Sequence, residues 1–184
     1  MKKLAIAGAS LALAAMPVFG VFADVTTTTT DTLTLTIPNG CSIATAANGG
    51  TDRSDTVATF GSVAPTQTAT DSTSPIVITC NASGWTLTPT ISSGLTNGTA
   101  TIASGATALN GTVSEWAVKL TPSASTNIDS NDFSGYAAVD GTNDVVGSAA
   151  VSSLSIAPEY KVSVAAGQAT GTYNGTVLYT VAAP

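Results

Sequence analysis

The chain has 184 residues, 43% of them apolar and only 9% charged, with no histidine, two cysteines, and five bases against eleven acids. The lack of histidine removes Ser-His-Asp and Cys-His catalysis and the commonest metal ligand in one step. An acidic chain with so few cations cannot neutralise phosphates, which argues against nucleic acid or an anionic membrane surface as partner.

Lys2 and Lys3 precede an apolar run from Leu4 to about Val18, and Val21-Phe22-Ala23 then offers small residues for cleavage. Residues 1–23 therefore read as a secretory signal peptide, too short to be a retained membrane helix. The expected destination is extracellular, at the cell surface, with no membrane span after cleavage. Asp24 follows the cut in place of cysteine, so no lipid anchor is indicated. The apolar run also ends where the mature chain begins, unlike a type IV pilin. The mature chain keeps Arg53, Lys119 and Lys161 against all eleven acids, a net charge of −8.

Residues 24–40 read as a leader. The five threonines at 26–30 carry no core-forming pattern and suggest a spacer. TLTLTI, residues 32–37, alternates Leu33, Leu35 and Ile37 with threonines, the period-two signature of a strand with one apolar face, closed by Pro38-Asn39-Gly40.

Residues 41–184 read as one β-sandwich domain. Cys41 and Cys80, an even number in an exported chain, are expected to form a disulfide. Strands are expected at Val57–Val63, Ile76–Cys80 and Trp85–Ile91, the last with Trp85, Leu87 and Ile91 on one face and three threonines on the other. Then come Glu115–Leu120, with Trp116, Val118 and Leu120 alternating with Glu115, Ala117 and Lys119; Val151–Ile156; Tyr160–Val164; and a final strand, Thr172–Val181, on which Tyr173, Val177, Tyr179 and Val181 share a face. Asn-Gly pairs at 39, 48, 97 and 110 suit turns, and the pair at 174, inside the last strand, suits a bulge. The fold class that follows is all-β: an antiparallel immunoglobulin-like sandwich of about seven to nine strands with one disulfide. Trp85 and Trp116 are the candidate aromatics between its sheets, a core role being favoured over ligand stacking.

Candidate chemistry is sparse. No serine stands three residues before Lys119 or Lys161, as a lysine-dependent serine hydrolase would need, and the only glutamates, Glu115 and Glu159, should face solvent by strand alternation. The reading is of a protein that is not an enzyme and carries no cofactor. One acidic, Gly-containing loop, DSNDFSGYAAVDGTND at 129–144, could supply oxygens to calcium from Asp129, Asn131, Asp132, Asp140, Asn143 and Asp144, although its spacing is not that of an EF-hand and a solvated polar loop is the plainer reading.

Two families share short motifs with this chain. Trp85-Thr86-Leu87 in SGWTLTP, the preceding FGSVAP at 60–65, and the Tyr-Thr-rich ending GTYNGTVLYTVAAP resemble the WxL-type cell-wall-associated surface domain, with Tyr179 and Val181 where that family has Trp and Leu. That resemblance implies non-catalytic association with a wall polymer or surface proteins, with Trp85, Leu87, Tyr173 and Tyr179 as the motif residues. Cys41, the second cysteine in SPIVITC and the final Gly-x-Tyr-x-Gly, Gly171 to Gly175, resemble pilin-like and spore-coat-protein-U-type β-sandwich proteins. There the implication is self-association, with residues 24–38 donated to a neighbouring subunit. The first reading is thus an exported, wall-associated or adhesive module, and the second a structural subunit polymerising by strand exchange.

Overall fold

A computed structural model describes residues 34–44 and 57–184 of the chain. The signal-peptide and threonine-spacer readings, Leu33 and the Asn-Gly pair at 48 lie outside the described residues. Residues 34–36 belong to one unit and residues 37–184 to another.

The larger unit is nearly all-β. Its strands are β1 (Cys41–Ala44), β2 (Thr68–Ser72), β3 (Ile76–Cys80), β4 (Thr86–Thr96), β5 (Thr101–Ser104), β6 (Glu115–Pro122), β7 (Ile128–Asn131), β8 (Val145–Gly147), β9 (Val151–Ser163) and β10 (Asn174–Ala182). A single 3-10 turn at Ser125–Asn127 is the one helical element among the described residues. The strands hydrogen-bond in the order β1-β3-β9-β6-β5-β4-β8-β7, with β2 also on β9 and β10 also on β4. Every pairing is antiparallel except β5 with β6. The sheet is therefore mixed, which corrects the purely antiparallel expectation, and it has ten strands among the described residues, more than the seven to nine expected. The parallel pair has a plain cause: β4 and β5 form a hairpin around Asn97-Gly98, and the 105–114 crossover then returns the chain alongside β5 in the same direction.

Cys41 and Cys80 are directly opposed in the β1–β3 ladder and form a disulfide, with Cα atoms 4.2 Å apart. The link closes a loop 39 residues long in sequence and contributes about 4 kcal/mol in the chain-entropy account. β9 joins two expected strands into one of 13 residues despite Pro158. Pro158 lies where the partner of β9 changes from β3, ending at Ile76↔Ile156, to β2, beginning at Ser72↔Glu159. The Thr73 amide donates to the Pro158 carbonyl, and no ladder bond there requires the N–H that proline lacks.

The core is one cluster, built from Ile76 and Ile78 of β3, Leu87 of β4, Trp116, Val118 and Leu120 of β6, Leu154, Ile156 and Val162 of β9, with Trp85, Phe133, Val139 and Val145. Each of β3, β6 and β9 supplies residues at spacing two, the pleat that the alternation anticipated. Five expectations fail in detail. Residues 34–37 belong to no strand, and Leu35 and Ile37 are exposed. Val57–Val63 is irregular, and the strand lies instead at Thr68–Ser72, whose polar TATDS carries no hydrophobic signal because β2 is a short flanking strand on β9. Ile91 is exposed, whereas Leu87 and Pro89 before it on β4 are buried. Glu115 is buried, and Glu159 is half-buried in an ion pair.

Candidate functional site

Among the described strands β10 has one neighbour, β4. Its core-facing side chains Val177, Tyr179 and Val181, together with Tyr173, pack against the core but stay only half-buried. Beside them runs a groove of about 790 Å³ lined by Tyr160 and Val162 of β9, Val177 and Tyr179 of β10, Leu95, Ile102 and Trp116, and the segments around Phe60 and Gln168–Thr176. Among the described residues no charged side chain lines it.

Local sequence explains this open end. From Val177↔Ile91 to Thr176↔Ser93 the β4 chain advances two residues for one on β10, and from Thr176↔Ser93 to Asn174↔Thr96 it advances three for two. The irregularity expected at Asn174-Gly175 is present, but both extra residues belong to β4, in its Ser92–Leu95 stretch. Gly175 lets the strands approach closely there, since a Cβ on it would lie 3.0 Å from Leu95 backbone atoms. Bulges bend a strand and increase its twist, which keeps the two strands from closing flat at this end.

Polar side chains fix the groove. The hydroxyls of Tyr160 and Tyr179 are 2.8 Å apart, linking β9 to β10. Gln168 Nε2 donates to the Tyr173 hydroxyl at 2.7 Å, and that hydroxyl donates to the Ala169 carbonyl at 2.8 Å. Beside the groove, the buried Glu115 carboxylate accepts from the amides of Thr107, at 3.2 Å, and Ala108. Ser163 Oγ accepts from the Gly111 amide at 2.9 Å and donates to the Val113 carbonyl at 2.7 Å. Trp116 Nε1 is the exception: it is buried and, among the described residues, has no hydrogen-bond partner.

The WxL-like motif lies elsewhere. Trp85 and Leu87 are fully buried, and Trp85 Nε1 donates to the Ala149 carbonyl at 3.0 Å. Gly147 packs under that indole so closely that a Cβ would fall 2.0 Å from its Cε2 and Nε1. A polymer on the outer surface reaches neither side chain in this arrangement. Tyr173 and Tyr179, the other two motif residues, line the groove.

The acidic loop makes internal turns. Asp140 Oδ1 accepts from the Thr142 and Asn143 amides, bonds that hold its carboxyl below the usual carboxylate range. Asp132 accepts from the Asp144 amide, Asn131 Oδ1 from the Phe133 amide, and Asn131 Nδ2 donates to the Leu120 carbonyl. Among the described residues no three acids, cysteines or histidines come together at metal-binding distance, so Asp129, Asp132, Asp140 and Asp144 are not brought into one site.

A second polar cluster sits on β6 and β9. Lys119 Nζ donates to Glu159 Oε1 at 2.8 Å, the Tyr136 hydroxyl donates to the same oxygen, and the ammonium groups of Lys119 and Lys161 lie 5.4 and 5.5 Å from the Tyr136 ring centre. Hydrogen bonds from Lys119 first and Tyr136 second hold the Glu159 carboxyl low. Burial first, then the Glu159 carboxylate, pushes the Tyr136 phenol up to about 12. Cross-strand register carries a trace of this cluster, because Lys119↔Glu159 and Ala117↔Lys161 are opposed pairs. The groove and the role of Glu115 had fainter signals: the small Ala117 on the supposed wet face of β6 was the one hint that both its faces are covered.

Among the described residues no helix is long and apolar enough to cross a membrane. Set against known proteins, the chain matches no family model and no curated sequence.

Proposed function

We propose that this chain is an exported, non-catalytic, immunoglobulin-like β-sandwich of the cell surface that acts as a structural subunit, taking an extended segment of a neighbouring molecule along β10. The sandwich reading is supported by the predominance of antiparallel pairs and by a single core that draws on both the β3–β9–β6 and the β4–β8 strands. The observation that carries the function is the uncharged groove beside β10, a strand whose core-facing side stays half-buried. A strand of alternating aliphatic residues is the kind of occupant such a groove takes, with main-chain bonds supplying affinity and alternate side chains supplying fit. TLTLTIP, residues 32–38, has that alternation and no charge, and its Leu35 and Ile37 are exposed at 83% and 70%. The wall-binding alternative is less well supported, because two of its four motif side chains are in the core.

The test uses the full mature chain and a Leu35→Asp/Ile37→Asp variant, both positions being exposed. Sizing at rising concentration should give oligomers for the wild type and monomers for the variant, at low and high salt alike. Identical size distributions for the two proteins would remove strand exchange and leave the wall-associated reading to be examined by pull-down with purified wall polymer.

A further inference from the structure

Trp116 is only 6% exposed, it lines the groove, and its Nε1–H meets no acceptor among the described residues. Buried indole N–H groups ordinarily find a partner, as Trp85 does at Ala149. An orphaned donor costs free energy that either the fold or a ligand must recover.

We propose that Trp116 Nε1–H is the specificity-determining donor of the groove, and that it bonds a backbone carbonyl of residues 32–38 from a second copy of this chain. This rests on the function proposed above and adds to it the residue that selects the occupant. An extended peptide fits both halves of the requirement. Its side chains at spacing two fill an apolar channel, and its carbonyls bring acceptors into that channel without charge. The occupant should be uncharged because any ion entering would be desolvated beside a lining with no countercharge among the described residues. TLTLTIP satisfies this in a chain where acids are otherwise spread from Asp24 to Glu159.

The inference separates the empty state from the filled one. Trp116→Phe keeps a ring and deletes the donor. In the empty protein nothing is bonded to that donor, so the substitution costs only the packing of the smaller ring and should lower melting slightly at most; in the filled protein it leaves a carbonyl unpaired, so binding should weaken roughly three- to tenfold.

The measurement is titration of a synthetic TLTLTIP peptide into the full mature chain carrying Leu35→Asp/Ile37→Asp, with and without Trp116→Phe. Weaker binding with a melting temperature unchanged or only slightly lowered supports the proposal. Equal affinity in the two proteins overturns it while leaving strand uptake intact. No binding to either protein overturns the functional reading and this inference together. If Trp116→Phe impairs folding, the indole N–H signals of ¹⁵N-labelled protein give the answer instead. At saturating peptide the Trp116 signal should move downfield and exchange more slowly with solvent while that of Trp85 stays in place, and an unmoved Trp116 signal refutes the bond.

Discussion

The two tryptophans mark two ends of one core. Around Trp85 everything is closed: the indole is fully buried, its N–H is bonded to Ala149, Gly147 lies against its face, and the Cys41–Cys80 disulfide sits where β3 meets Val151 of β9. Around Trp116 the packing is looser and more polar, with the buried carboxylate of Glu115 and the hydroxyl of Ser163 tying down the 105–114 crossover and a groove left beside β10. The difference shows that burial alone does not make a residue structural. One indole N–H is satisfied within the fold, and the other, among the described residues, is buried without a partner.

The largest expected effect tests the closed end. Trp85→Ala should lose about 3–5 kcal/mol in urea unfolding, through lost transfer energy plus the cavity left behind. Trp116→Ala should lose measurably less, because part of its ring already borders the groove and forfeits fewer contacts. Equal losses would erase the distinction between the ends. Next in size is the disulfide. Replacing Cys41 and Cys80 with alanine should cost about 2–4 kcal/mol, read as a lower melting temperature that reductant no longer changes. A larger loss on reducing the wild type than in the double variant would point to misfolding of the free thiols.

Glu115 examines the polar end. Glu115→Ala strips the Thr107 and Ala108 amides of their acceptor and should cost about 1–3 kcal/mol, while Glu115→Gln, which keeps one acceptor oxygen, should cost less. Hydrogen exchange at those two amides is the direct check, and unchanged protection in the alanine variant would show that the crossover is held by other contacts. The smallest effect belongs to neither end. Glu159→Gln should change stability at neutral pH by less than about 1 kcal/mol, as expected for an ion pair this accessible to solvent. Its sign with pH is fixed: a carboxyl held low contributes stability that is present above the unfolded-chain value, about 4.3, and is lost as the pH falls through the lower folded value. Acid titration below about pH 4.3 should therefore destabilise the wild type more steeply than the variant, and parallel curves would mean that Lys119 and Tyr136 do not favour the ionised form.

Legibility in the sequence followed the reach of each interaction. Ile76–Cys80, Glu115–Leu120 and the last strand were readable because alternation is a property of consecutive residues facing a core on one side. TLTLTI has the same alternation, yet residues 34–37 form no strand, since a pattern states what a segment could pair with and not whether a partner is at hand. Glu115 was misplaced for a related reason. Alternation assumes one wet face, and β6 is covered on both.

Sequence by itself determined the strand-rich class, the absence of histidine chemistry, the pairing of the two cysteines and the aromatic character of the core, because each depends on residue type or near-neighbour spacing. Tertiary structure alone decided the parallel β5–β6 contact, the two extra residues of β4 against β10 and the different fates of Trp85 and Trp116. Those depend on which distant segments meet. Ala149, the acceptor for one indole, is 64 residues from Trp85, and no local pattern records that the other indole has none among the described residues.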